Sequence, residues 1–164
     1  MGVKIMGSLH CHICGRDNEA SEDRLFCVMC GADLSGSVIE STLMESKAAG
    51  SYATSDKIGD IRKEAFIYLT DKRLIVIPAD VNFSGINLTG ALTAVAAKTL
   101  WNKITSGQSS LISVPLENVK SVKDGKFGLL VKALIIETKD GELVKMTAPK
   151  LNEWKEAIAK AAKI

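Results

Sequence analysis

Apolar and polar residues alternate between clearly different textures along this chain. In "EAFIYLTDKRLIVIP", residues 64–78, two continuous apolar runs read as strands over 66–69 and 74–77, with Thr70, Asp71 and Lys72 favouring a turn between them. "ALIIETKDGELVKM", residues 133–146, reads as a second hairpin in which Asp140-Gly141 signals a type I′ turn. "VKDGKF", residues 122–127, offers a further Asp-Gly turn. In the tail, Leu151, Trp154, Ile158 and Ala161 fall on one face of a helix. Pro149 is expected in the first turn of that helix, and lysines gather near its end, where the dipole favours them. The pattern predicts a mainly β fold with α: a run of antiparallel strands closed by one amphipathic helix.

One stretch does not fit this alternation. Between Val81 and Ala97 there is no charged residue. Those seventeen positions fall short of a spanning helix, which needs about 20 predominantly apolar residues. Asn82, Ser84, Asn87, Thr89 and Thr93 dilute them further, so no transmembrane helix is expected. A helix over 88–104 is expected inside an apolar insertion covering 81–107. Leu88, Leu92 and Val95 share one stripe, while Leu100, Trp101 and Ile104 lie largely opposite. A helix apolar on two sides is buried twice, bent, or used for contact. Three uses stay open: packing on its own sheet, a homo-oligomer interface, or an approach to a membrane surface with Trp101, Lys98 and Lys103 near the headgroups.

The front of the chain is different again. "HCHICGRDNEASEDRLFCVMCG", residues 10–31, contains all four cysteines as two Cys-x-x-Cys pairs, Cys11/Cys14 and Cys27/Cys30. Two residues between cysteines let a tight turn aim both sulfurs at one point. Gly15 and Gly31 follow the pairs, and glycine suits the positive φ that such a turn needs. Two knuckles of the same form predict a Zn2+ site with Cys11, Cys14, Cys27 and Cys30 as ligands. Thioredoxin-like redox chemistry fits poorly, because that motif is single and sits in a βαβ context. His10 and His12 flank the first cysteine as candidate ligands or bases, but four thiolates already fill the shell, so both are expected to be exposed knuckle residues. A filled shell also has no open position for a hydrolytic water. The residues between the knuckles predict a short polar loop and one small strand before Cys27.

Charge refines this picture. Residues 1–35 carry three basic and five acidic side chains, whereas residues 36–164 carry eighteen basic and fourteen acidic ones. An acidic cysteine segment argues against a phosphate-gripping module and makes nucleic acid the least favoured partner. The first fifteen residues have no long apolar run, so no secretory signal is expected. Cysteines confined to two pairs suit a reducing, cytoplasmic compartment, with a membrane-peripheral location as the alternative. At 164 residues and 46% hydrophobic composition, one ordinary domain plus a very small one is expected: 1–35, then 36–164 after the Ser/Gly linker 35–41.

Cys-x-x-Cys-Gly, an acidic-polar loop, then Phe26-Cys27 to Cys30-Gly31, Ala32 and Leu34 resemble the short zinc ribbons common at the N-termini of prokaryotic proteins. The proline usual inside such knuckles is absent, which leaves the ligands untouched. "AFIYLTDKRLIVIP", then "ISVPLENVKSVK" at 112–123, then "LIIETKDGE" and "NEWKEAI" resemble, in that order, motifs of GRAM and bacterial pleckstrin-homology-like domains. The resemblance covers residues ~40–164 apart from the insertion, and each motif is soft. It implies a bent antiparallel β-barrel of about seven strands, plugged by a C-terminal helix with Trp154 as its core anchor. Lys72 and Arg73 are where a lipid phosphate could be contacted; the plainer expectation is that they shape the turn, with Arg73 pairing a carboxylate. Lysines 120, 123, 126 and 132 form either a basic face or an ordinary solvated one.

No nucleophile elbow, phosphate-binding glycine loop or suggestive pair of carboxylates is present, and no histidine follows residue 12. The expectation is therefore a non-enzymatic zinc-binding adaptor for protein–protein interaction or assembly. Peripheral phospholipid binding is the alternative, and nucleic-acid binding by the ribbon is the third reading.

Overall fold

The continuous apolar runs of 64–78 become two paired interior strands of an antiparallel sheet. The computed structural model describes residues 5–21, 25–47, 50–55, 59–78 and 112–164. The helix expected over 88–104, and the 81–107 insertion that contains it, lie outside the described residues. The chain divides into two compact units, the first running through Ser41 and the second beginning at Thr42; each is described by itself.

In the second unit, β3 (Thr42–Ser46), β4 (Tyr52–Ser55), β5 (Gly59–Thr70), β6 (Arg73–Pro78), β7 (Ile112–Pro115), β8 (Val119–Phe127), β9 (Val131–Thr138) and β10 (Leu143–Thr147) precede a helix over Leu151–Ala162. The hydrogen-bonded path is β7-β6-β5-β4-β10-β9-β8, with β3 also on β5. β3 and β4 act as one interrupted strand along the same edge of β5. β3 pairs with its second half (Ser46↔Ile67) and β4 with its first half (Tyr52↔Glu64). The break is closed by a 2.6 Å hydrogen bond between the buried hydroxyls of Ser46 and Ser51. β4 then carries the sheet over to β10, with Val144 opposite Ser55.

The β5–β6 register explains the unbroken apolar runs. Ile67↔Val76 and Leu69↔Leu74 share one face of the pair, and Tyr68↔Ile75 shares the other. All six side chains are buried, so both faces are covered and alternation is lost. The turn falls at Asp71 and Lys72 as expected, with Thr70 Oγ1 accepting from the N–H groups of Lys72 and Arg73.

The barrel implied by resemblance is instead an open sheet among the described residues, with β7 and β8 at its two ends. These strands are neighbours in sequence, joined by a 3₁₀ turn over Leu116–Asn118. That corner directs its backbone groups elsewhere: Leu116 N–H donates to Lys72 O, and Asn118 O accepts from Lys139 N–H. The chain is thus carried across the sheet's open side by a corner tied to two hairpin turns, rather than by a strand ladder.

Two expected turns are also corrected. Asp124-Gly125 lies within β8, not at a turn. A Cβ on Gly125 would stand 2.6 Å from Ile135 Cδ1, so this glycine serves close approach to the facing strand. The turn comes later, at Gly128, Leu129 and Leu130, closed by the pair Phe127↔Val131. At Asp140-Gly141, only Gly141 has positive φ (86°). Its N–H donates to Thr138 O while Thr138 N–H donates to Glu142 O, giving a three-residue loop with glycine in the left-handed position instead of a type I′ turn. Asp140 is held by Asn118 Nδ2 at 2.6 Å, which fixes the wider loop.

The core gathers Leu69, Leu74, Val114, Leu134, Ile136 and Met146 from five strands against Trp154 and Ile158 of the helix. Leu151 and Ala161 pack at its margin, so the expected stripe is the buried one. The helix rests on β8, β9, β3 and the 3₁₀ corner. Pro149 stands outside the helix rather than in its first turn: Lys150, with φ 58°, is the residue before Leu151.

Candidate metal centre

Each cysteine pair is the turn of a small hairpin, which the polar loop reading did not anticipate. β1 (Ile5–His10) and β2 (Asp17–Ser21) flank the first knuckle, with His10 opposite Asp17. The small strand expected before Cys27 is reduced to one bridge, Phe26↔Asp33, around the second. The knuckles repeat one hydrogen-bond scheme. Cys11 N–H donates to Arg16 O and Gly15 N–H to Cys11 O; Cys27 N–H donates to Ala32 O and Gly31 N–H to Cys27 O. Gly15 and Gly31 have φ of 75° and 71°, the left-handed conformation for which glycine was expected. In the second knuckle, Met29 N–H also donates to Cys27 Sγ at 3.4 Å.

The turns bring all four sulfurs within 4.8 Å of one another. Cys11 Sγ lies 3.6 Å from Cys30 Sγ, and Cys14 Sγ 3.5 Å from Cys27 Sγ, so each contact joins one knuckle to the other. None of the four is in a disulfide. A tetrahedral ion with metal–sulfur bonds of about 2.3 Å requires sulfurs about 3.8 Å apart, and the two contacts are close to that. The cluster can therefore hold a metal ion. Cys11, Cys27 and Cys30 are buried, as are their neighbours in sequence Ile13, Val28 and Ala32.

Sulfurs this close share protons. Hydrogen bonds from Cys14, Cys27 and Cys30 hold the Cys11 thiol far below the ordinary range. The corresponding bonds with Cys11, Cys14 and Cys27 push Cys30 far up. Cys14 is raised, chiefly by its bond with Cys11. Cys27 is lowered to about 7, its bond with Cys11 raising it and those with Cys14 and Cys30 lowering it. A cation entering the cluster takes the place of these shared protons, since thiolates are the ligating form.

The histidines lie to the side of this chemistry. His10 Nδ1 is 2.9 Å from Asp17 Oδ1 across the β1–β2 pair. His12 Nε2 is 2.8 Å from the Glu40 carbonyl oxygen. The 35–41 linker is accordingly fastened rather than loose. Asp33 accepts from Ser35 N–H, Ser35 Oγ–H and Val38 N–H, and these bonds, that of Ser35 first, hold its carboxyl below the usual range.

Asn18 is a positioning residue that sequence reasoning missed within its polar loop. It is buried, its Nδ2 donates to Arg16 O at 2.9 Å, and its Oδ1 accepts from Val28 N–H at 3.0 Å. It thereby ties the strand after the first knuckle to the backbone between Cys27 and Cys30. Asn18→Ala leaves a buried N–H without its partner, at a cost of about 1–3 kcal/mol. The expected result is a metal affinity weakened by about tenfold or more at unchanged stoichiometry, read by competition with a chromogenic chelator. Unchanged affinity would mean that the knuckles hold their relative positions without it.

In the second unit, Arg73 Nη1 donates to Ser113 Oγ at 3.2 Å, tying β6 to β7, so Arg73 supports the sheet next to the turn that Lys72 helps to form. Lys120 hydrogen-bonds to Glu137 at 2.7 Å and Lys123 lies 3.5 Å from the same carboxylate. That bond from Lys120 holds the Glu137 carboxyl below its usual range. Among the described residues, no helix is long and apolar enough to cross a membrane.

No protein-family model matches this chain, and no curated protein does. Among solved structures, it is similar to the crystal structure of the C-terminal domain of an unknown protein from Leishmania infantum. That similarity has a TM-score of 0.45 at 12% identity, over 76% of this chain and 86% of the other.

Proposed function

We propose that this protein is a non-enzymatic, cytoplasmic adaptor in which a structural zinc ribbon is joined to a pleckstrin-homology-like binding module. The observation that carries the metal assignment is the convergence of four thiols from two equivalent knuckles within 4.8 Å. Zinc is the ion this donor set suits best, because a Cys₄ tetrahedron is its common structural site and leaves no position for substrate or water. The strand order and the helix bearing Trp154 in the core support the pleckstrin-like reading of the second unit. In this reading the ribbon builds a fold, and the sheet supplies a surface for a protein partner.

Metal analysis of the full chain tests the first part. One zinc per chain is expected, and a cobalt-substituted sample is expected to give the absorption of tetrahedral thiolate cobalt. Absence of both, or an iron spectrum instead, would overturn the assignment. Assembly through 81–107 is tested by light scattering. A mass above the 17.6 kDa of one chain supports it, and a monomer at all concentrations removes self-assembly from the proposal.

A further inference from the structure

The β8–β9 hairpin ends in a way an ordinary surface loop does not. Loops exposed to water are normally built from polar and turn-forming residues. Here the three loop positions are Gly128, Leu129 and Leu130, and the leucines are 89% and 91% exposed. Gly128 has φ 57° and the flanking pair Phe127↔Val131 closes the loop tightly, so neither leucine lies back on the sheet. Two bare leucines therefore stand at the apex of a convex hairpin, away from the core they would otherwise join.

Charge is arranged around that apex with the same bias. The segment 126–132, "KFGLLVK", contains two lysines and no acid. Lys126 and Lys132 are directly opposite each other in the strand register, an arrangement of like charges that weakens a hairpin. Neither makes an ion pair among the described residues, whereas the nearby acids are engaged elsewhere: Asp124 with Lys155 at 2.6 Å, Glu153 with Lys150 at 3.4 Å and Glu137 with Lys120. On the other face of the hairpin end, the Lys145 ammonium sits 5.5 Å from the Phe127 ring centre. An apolar tip ringed by unneutralised cations matches a surface that is anionic outside and apolar just beneath.

We infer that the β8–β9 hairpin tip docks this protein onto anionic lipid bilayers, with Leu129 and Leu130 entering the headgroup–acyl boundary and Lys126, Lys132 and Lys145 facing the lipid phosphates. This goes beyond the adaptor reading and does not depend on the metal. Two signals are needed because each is weak alone: two leucines supply limited buried area, and a few lysines are screened by salt. Their convergence on one protruding loop supplies both, without a matched pocket in a protein partner.

Vesicle co-sedimentation with the full chain tests this. Binding is expected to phosphatidylcholine vesicles containing phosphatidylglycerol, to fall as salt is raised, and to be absent on phosphatidylcholine alone. Leu129→Ser with Leu130→Ser is expected to weaken binding at least about tenfold, and Lys126→Gln with Lys132→Gln by about fivefold per lysine. Leu143→Ser, at the start of β10 opposite Glu137 and also exposed, should bind like the wild type. The leucine variant should melt at the wild-type temperature, since these side chains bury almost nothing. Wild-type protein that ignores both vesicles, or a leucine double variant that binds as tightly as wild type, would overturn the inference. So would a dimer seen by light scattering without vesicles and abolished by the same double variant, if vesicles were not bound, because the tip would then belong to a second copy.

Discussion

Replacing Cys27 with serine is expected to unfold residues ~8–34 and to leave the β unit intact. Cys27 supplies one of the four clustered sulfurs and is itself buried, and its N–H and carbonyl close the second knuckle. Among the described residues, the segment up to Ser41 has few other buried apolar side chains, chiefly Ile13, Val28 and Ala32, which is too small a core to offset chain entropy. If the proposed zinc is bound, it contributes an apparent ~10–16 kcal/mol as in comparable small sites, so its loss exceeds anything the remaining contacts supply. Amide correlation spectra should show collapse of the signals of the first unit and retention of those of the second. Treatment with a strong chelator should reproduce the same spectrum. Loss of the β-unit signals as well would show that both units fold as one.

Trp154→Ala is the largest expected effect in the second unit. Trp154 is 2% exposed and lies in the same cluster as Leu134, Ile136 and Met146, so its removal opens a cavity beneath the helix. A truncation of this kind costs about 3–5 kcal/mol, a large share of the roughly 5–15 kcal/mol that stabilises a typical domain. Chemical denaturation should show the midpoint of the β unit falling by a corresponding amount. Trp154→Phe should fall by less, because most of the volume is kept. Metal content at temperatures below the melt should be unchanged. A loss under 1 kcal/mol for the alanine variant would mean that the helix is not the element closing this core.

The features legible in the sequence are those that short stretches of chain decide for themselves. Cys-x-x-Cys followed by glycine specifies its own turn, and both knuckles take the expected conformation at Gly15 and Gly31. Apolar runs over 66–69 and 74–77, the Asp71-Lys72 turn and the stripe Leu151–Trp154–Ile158 were readable for the same reason. Where the reading went astray, a distant residue set the outcome. Asp124-Gly125 has the composition of a turn, yet Ile135 on the facing strand makes it a site of close approach. Asp140-Gly141 adopts a wider loop that Asn118 holds from another part of the chain. The first half of β5, rich in charge, gave no strand signal and is ordered by pairing with β4.

The same division separates what the sequence alone determined about this protein from what the tertiary structure decided. The sequence determined four cysteines able to hold a metal ion, set in two knuckles, a β-rich second unit and an amphipathic terminal helix, because spacing, φ preference and periodicity act over a few residues. Only the tertiary structure decided that the sulfurs of one knuckle meet those of the other, with Asn18 between the hairpins. It also decided that the sheet stays open at β7 and β8, and that Leu129 and Leu130 stand bare at an apex between two facing lysines. Those outcomes depend on which strands pair and in what register. Pairing energy between segments far apart in sequence fixes register, and no local stretch carries it.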